Sequence, residues 1–345
     1  MPLIRQAAGP NPLRGFQVDP QEIRYLGHDL QRPECILAER DGTLWAADAR
    51  GGVMRLAPDG RQQLVVQSAD PHFDVSADAA ASLLTGTLPN GLAFAANGDI
   101  LISNFGTDRL ELMTRQGQTR VLMDSIDGRP LGKVNFVLRD SRDRIWVTVS
   151  TRVNPWSDAI TPRLTDGYII LIDDRGPRIV ADGFRFTNEI RLDAAEEWLY
   201  VAETCGKRVS RLRVRADGSL TDREVYGPSS LGTGVIDGIA FDAYGNLWAT
   251  MIFADRLVAI TPEGDLLELL DDGDAEATAA FETAFHGDRP VPFETLIKTG
   301  GTICPWLASV TFGGPDLMTA HLGGLRSTSI PSFRSPVAGL PPVHW

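Results

Sequence analysis

The chain has little cysteine: Cys35, Cys205 and Cys304 are its only three, far apart and with no Cys-x-x-Cys pair. An odd, scattered set supports neither a disulfide framework nor a zinc ribbon. The five histidines, His28, His72, His286, His321 and His344, include no His-Glu-x-x-His or other paired ligand spacing, which removes the common histidine metal motifs. No Gly-x-Ser-x-Gly elbow, Walker loop or Gly-x-Gly-x-x-Gly fingerprint occurs, so serine hydrolases of that type and phosphate-cradling cofactors lack support. No run of eighteen apolar residues is present, and Met1 to Phe16 contains no continuous apolar segment of signal-peptide type, so the reading is a cytoplasmic, reduced protein without a membrane partner. Positive charge is also in deficit. The 33 basic and 45 acidic residues leave −12, which disfavours nucleic acid as a partner and favours a small molecule.

Glycine and proline, in contrast, are abundant. Together they supply 34 and 22 of the 345 residues, above ordinary usage, and imply many turns between short strands. Those turns are phased. A polar residue, a short apolar run, an Asp/Asn-Gly turn and a Leu-Trp-like run recur along the chain. The copies begin at Glu34, Asn90, Asn135, Asn188 and Asp237, with a weaker one at Ala308. The intervals are 56, 45, 53, 49 and 71 residues, the period range of propeller blades. Further hairpin turns follow at Pro58–Gly60, Asp173–Gly176, Ala216–Gly218 and Pro262–Gly264. Two hairpins per copy and six copies give an all-β fold, a six-bladed β-propeller with four-stranded antiparallel blades, over residues 1–345 as one domain. An open β-sandwich is the competing architecture.

Closing the ring requires one blade to combine both ends of the chain. Residues 17–27 contain a strand-like stretch and are expected to supply the outer strand of the last blade, which removes free sheet edges. In four-stranded blades, the residue preceding each inner strand faces one side of the ring, and the Asp-Gly turns face the other. The longest irregular segments, 68–89, 151–167 and 268–307, all rise from the first side, where long loops commonly act as lids or binding loops. Within the last of them, Asp274 to Phe285 has helical propensity.

The first position of the repeat therefore carries the chemistry. Glu34, Asn90, Asn135, Asn188 and Asp237 are oxygen donors, and Ala308 is not. A structural repeat has no need of carboxylates at a channel rim, although Asn and Asp also begin strands by satisfying local backbone groups. A converging Glu, Asn, Asn and Asp set is a hard-oxygen site suited to Ca²⁺, with Mg²⁺, Mn²⁺ or Zn²⁺ as alternatives. Arg152 and Trp156, on the 151–167 loop, and His321, at the end of a second strand, are candidate substrate contacts. Cys35 reads as a small buried residue. Trp45, Trp146, Trp198 and Trp248 read as packing between blades.

Four motifs make a resemblance specific: Arg32–Glu34 with Leu44–Asp48, Thr187–Asn188 with Leu199–Glu203, Asp237–Trp248, and Val310–Leu317. Over residues 30 to 325 the chain resembles the senescence-marker-protein/gluconolactonase/luciferin-regenerating-enzyme family. That resemblance implies a divalent ion in the channel, with Glu34, Asn188 and Asp237 as ligands. It implies Asn135 as a ligand or substrate-contacting residue, and Asn90 as a substrate contact in the same ring. The expected function is metal-dependent hydrolysis of a small cyclic ester, with the ion as Lewis acid and Asp237 as ligand and general base. Phosphotriester cleavage, a lyase or cyclase step on the same metal, and a non-catalytic binding propeller are the alternatives.

Overall fold

The structure, a computed structural model, describes residues 9–68 and 86–345. Most of the expected 68–89 loop, and His72 within it, lie outside the described residues. The described chain forms six four-stranded antiparallel sheets and one extra two-stranded hairpin. The sheets are the blades of a six-bladed β-propeller. Their inner strands are Ile36–Ala38, Pro89–Phe94, Val134–Arg139, Thr187–Leu192, Val235–Phe241 and Leu307–Gly313. Each copy of the sequence repeat thus starts one blade. Arg24–Leu26 pairs antiparallel with Ile330–Arg334, so residues from both ends of the chain complete blade six.

The repeat also builds a recurring corner on the side opposite the site. The turn carboxylate of a blade reaches the indole of the tryptophan six residues later. Trp45 donates to Glu39 at 2.7 Å, and Trp146 and Trp248 donate to Asp140 and Asp242 at 2.9 Å each. Asp140 and Asp242 also accept the amides of their own turns. One side chain therefore fixes the turn and locks the buried ring of the next strand. Trp146 and Trp248 are fully buried in the inter-blade core, in keeping with their reading as packing residues. The C-terminal segment crosses this same side, where Leu340 N–H donates to Phe241 O and His344 lies 2.9 Å from Ala38 O.

Two of the three long segments rise on the opposite side. In 151–167, Trp156–Ala159 forms a short 3-10 turn. In 268–307, the expected helix forms as α1, Ala275–Phe285, with Asp274 capping it through Ala277 N–H. Phe281 and Phe285 of α1 pack with Trp156, Ile160, Leu296 and Trp306 into one apolar cluster over this end of the channel. Val291 N–H donates to Ile160 O at 3.3 Å, which joins the two loops to each other.

Candidate metal centre

The inner strands deliver their donors through a shared irregularity. Strand pairing slips between Pro89 and Leu92, Val134 and Phe136, Thr187 and Ile190, Ile236 and Ile239, and Leu307 and Ser309. Each slip brackets the first position of the repeat: Asn90, Asn135, Asn188, Asp237 and Ala308. A β-bulge re-aims a side chain at the cost of a ladder bond. At two bulges a threonine on the second strand replaces that bond: Thr148 Oγ1 accepts from Phe136 N–H at 3.0 Å, and Thr250 Oγ1 accepts from Gly238 N–H at 2.8 Å. Gly91 and Gly238, each directly after a donor, sit where neighbouring inner strands nearly touch. A Cβ at Gly91 would lie 2.6 Å from Phe136 Cα, and one at Gly238 would lie 2.6 Å from Ser309 Cα.

Glu34, Asn90, Asn135, Asn188 and Asp237 all line one cavity on the channel axis, and all are buried. The cavity measures about 40 Å³, room for an ion and a few waters, since one water needs about 10–15 Å³. Asn135 Oδ1, Asn188 Oδ1 and Asp237 Oδ1 are buried oxygens that accept no hydrogen bond, and Glu34 Oε2 has only its ion pair with Arg32. Buried polar atoms are ordinarily paired, so three unpaired oxygens in one cavity require another partner. A divalent cation with oxygen preference meets that requirement, and these residues fit it. Among the described residues, no three His, Cys, Asp or Glu side chains gather as a metal cluster, so the donor set here depends on its asparagines.

Asn90 is placed differently. Its Oδ1 accepts from Arg32 Nη2 at 2.7 Å and its Nδ2 donates to Asn135 O at 3.0 Å. It braces the ring of donors and has no orphan oxygen. Arg32 is the residue that the repeat does not reveal. Its guanidinium is buried, lies 2.9 Å from Glu34 Oε2, and retains an Nε with no acceptor. The available signal was its position two residues before Glu34.

The electrostatics reflect burial of like charges. Burial raises the Glu34 carboxyl, and Arg32 opposes the rise. Burial, then the Glu34 and Glu189 carboxylates, raise the Asp237 carboxyl well above the usual range. Glu189, paired with Arg191 at 2.7 Å, is itself pushed up to about 7, chiefly by burial. The site therefore holds uncompensated negative charge that an added cation would relieve.

Of the expected substrate contacts, Trp156 lines the cavity and packs edge-on to Phe105 at 6.1 Å. Arg152 does not line it. Its guanidinium stacks on the Tyr168 ring at 4.3 Å and its side chain is exposed, because Asp166 holds the backbone at its N–H. His321 does not line it either. Strand register pairs His321 with Thr311, past the bulge and toward the turn side, and its Nδ1 lies 2.8 Å from Ser332 Oγ. Neither side chain lies in the cavity, because position along a loop or strand does not by itself give the direction of a side chain. Cys35 is buried with its thiol pushed up to about 12 by burial, which excludes it as a ready nucleophile.

The chain is thus a six-bladed propeller with a ring of oxygen donors at its channel. Residues 29–284 match the model described as SMP-30/Gluconolactonase/LRE-like region, and the chain belongs to that family. No curated protein matches the sequence. Among solved structures, it is similar to a gluconolactonase from Xanthomonas campestris at 18% identity, covering 91% of this chain and 88% of that one, with TM-score 0.62. It is similar to a luciferin-regenerating enzyme at 15%, covering 92% and 95%, with TM-score 0.65. A calcium-binding regucalcin from Agrobacterium tumefaciens matches at 14%, covering 92% and 96%, with TM-score 0.64. At these identities the likeness establishes the fold.

Proposed function

We propose that this protein is a divalent-cation-dependent hydrolase that opens a small cyclic ester. The observation that carries the reading is the set of three buried oxygens, on Asn135, Asn188 and Asp237, that accept no hydrogen bond, beside the Glu34 carboxylate. These four residues would hold the cation, and Ca²⁺ suits a ligand set without nitrogen or sulfur. When bound, the cation supplies Lewis acidity toward an ester carbonyl.

The chain's own groups supply the remaining requirements. Asp237, buried in a site closed to bulk water, takes a proton from the attacking water and passes it to the ring oxygen as the ester C–O bond breaks. Arg32 has a buried Nε without an acceptor and donates to the oxyanion that develops on the carbonyl oxygen. Asn188 is less suited to that task, because its Nδ2 already donates to Thr204 Oγ1 at 3.1 Å. Trp156 and the loops around it exclude bulk water, which strengthens each of these interactions. Regucalcin's description as calcium-binding and the gluconolactonase relative support the same assignment.

The test is proton release on a panel of lactones, with and without chelator. Turnover should vanish with chelator and return with added cation; turnover that ignores the chelator would sink the reading. Asp237→Asn should lower kcat by about 10²–10⁴. Full turnover in that variant would remove the general-base role and leave Asp237 a ligand only.

A further inference from the structure

The floor and the roof of the cavity differ sharply in chemistry. The floor is Arg32, Glu34 and the Asn and Asp donors. The roof is Phe105, Trp156, Ile160, Phe186, Phe253 and Leu325, each from a different strand end or loop except the pair Trp156 and Ile160. These side chains are not an incidental apolar rim. Phe253 packs against Phe281 of α1 and against Trp306, both at 5.1 Å between ring centres. Ile160 and Trp156 belong to the same cluster. The roof is therefore a built apolar surface, backed by a second apolar layer.

The polar groups of the floor are largely committed. Asn90 is satisfied at both ends by Arg32 and Asn135, and Asn188 Nδ2 is held by Thr204. The three unpaired oxygens, the Glu34 carboxylate and Arg32 Nε remain. That set can serve a cation and one ester group. Among the described residues, the polar side chains lining the cavity outside the floor are Thr204, whose hydroxyl already accepts from Asn188, and Trp156. Against this described lining, a substrate carrying several hydroxyls would bury most of them against hydrocarbon, and such mismatches are heavily discriminated against. A hydrocarbon substituent would gain from the same surface.

Resting on the hydrolase reading above, we infer that the cyclic ester this site takes bears an apolar substituent, alkyl or aryl, and is not a polyhydroxylated sugar lactone. The ester group meets the floor, and the substituent displaces water beneath the roof. Since the cavity as it stands measures about 40 Å³, the substituent enters by displacing the roof side chains Trp156 and Ile160 of the 151–167 segment.

The experiment compares δ-lactones of one ring size, with alkyl chains of increasing length on one arm and ring hydroxyls on the other. It is run in parallel with thermal shifts on the matching non-hydrolysable lactams. kcat/KM should favour the alkyl lactones by 100-fold or more and rise about fourfold per methylene, the ratio that corresponds to burying one CH₂. Ile160→Thr, which shortens the side chain and puts a hydroxyl into the roof, should cut that preference about tenfold. A hydroxylated lactone turned over better than its alkyl counterpart overturns the inference while leaving the hydrolase reading intact. If no lactone is hydrolysed, the hydrolase reading fails. The apolar-ligand inference then stands if the alkyl lactam raises Tm more than the hydroxylated one, and falls if it does not.

Discussion

Arg32 and Glu34 form a buried ion pair at 2.9 Å in the middle of a site rich in negative charge. Removing one partner of a buried pair leaves the other uncompensated. Arg32→Met should therefore cost about 3 kcal/mol of stability in the presence of chelator, read by chemical denaturation. Excess cation should recover at least half of that loss, because it restores the missing positive charge; an equal loss with and without cation would separate Arg32 from the ion site. His321 offers a second residue-scale test. Burial lowers its imidazole to about 4 from an ordinary 6.5. Its folded-state pKa is depressed, so between 6.5 and 4 the unfolded chain binds a proton that the folded one refuses. Stability is thus lost as pH falls through that window, by at most about 1.4 kcal/mol per pH unit. His321→Gln should be less stable than the parent at pH 7 and close that gap by pH 4.5, as urea midpoints at the two values will report.

At the scale of strands, the bulges decide where donors point. Thr250 gives the bulged Gly238 amide its acceptor and donates to Ala308 O at 2.9 Å, tying blade five to blade six. Thr250→Val strands that buried N–H, at about 1–3 kcal/mol. Gly238→Ala must push the inner strands of the two blades apart, with a similar cost of about 1–3 kcal/mol. Both variants should also weaken cation binding in calorimetric titrations, since Asp237 is the residue before the disturbed amide. Unchanged affinity in both would show that the bulge does not position the ligand. The repeat was legible because its apolar period and turn residues are local. The bulges were not, because a one-residue slip leaves no mark on composition and is defined only against the partner strand. Arg32 stood in a family motif but was given no role, for a related reason: it precedes the repeat's first position and reaches the site from a left-handed backbone conformation, φ 56°, outside any strand pattern.

Across the whole molecule, the two chain ends share responsibility for closure. Leu13, Val18 and Ile23 are buried in the cluster that joins blades five and six, and Arg24–Leu26 covers the edge of Ile330–Arg334. Deleting residues 1–27 should cost about 5 kcal/mol or more, taking roughly 1.5–3 kcal/mol for each large buried side chain. It should also expose a sheet edge that pairs between copies. Calorimetry and light scattering would register a lowered Tm and concentration-dependent association; a truncated chain with unchanged Tm would show that the ring is held by its other blades alone.

The cysteine-poor, turn-rich sequence by itself determined the blade count, the order of the strands, the capped helix Ala275–Phe285 and the oxygen-donor identity of five repeat positions, because each depends on residues close together in the chain. Only the tertiary structure decided which donors keep an unpaired oxygen, that Arg152 and His321 face elsewhere, and that Arg32 enters the site. It also decided that a roof of aromatic and aliphatic side chains covers the floor. Those outcomes depend on register between strands and on packing between segments as distant as Phe105 and Leu325, and neighbouring residues carry no information about either.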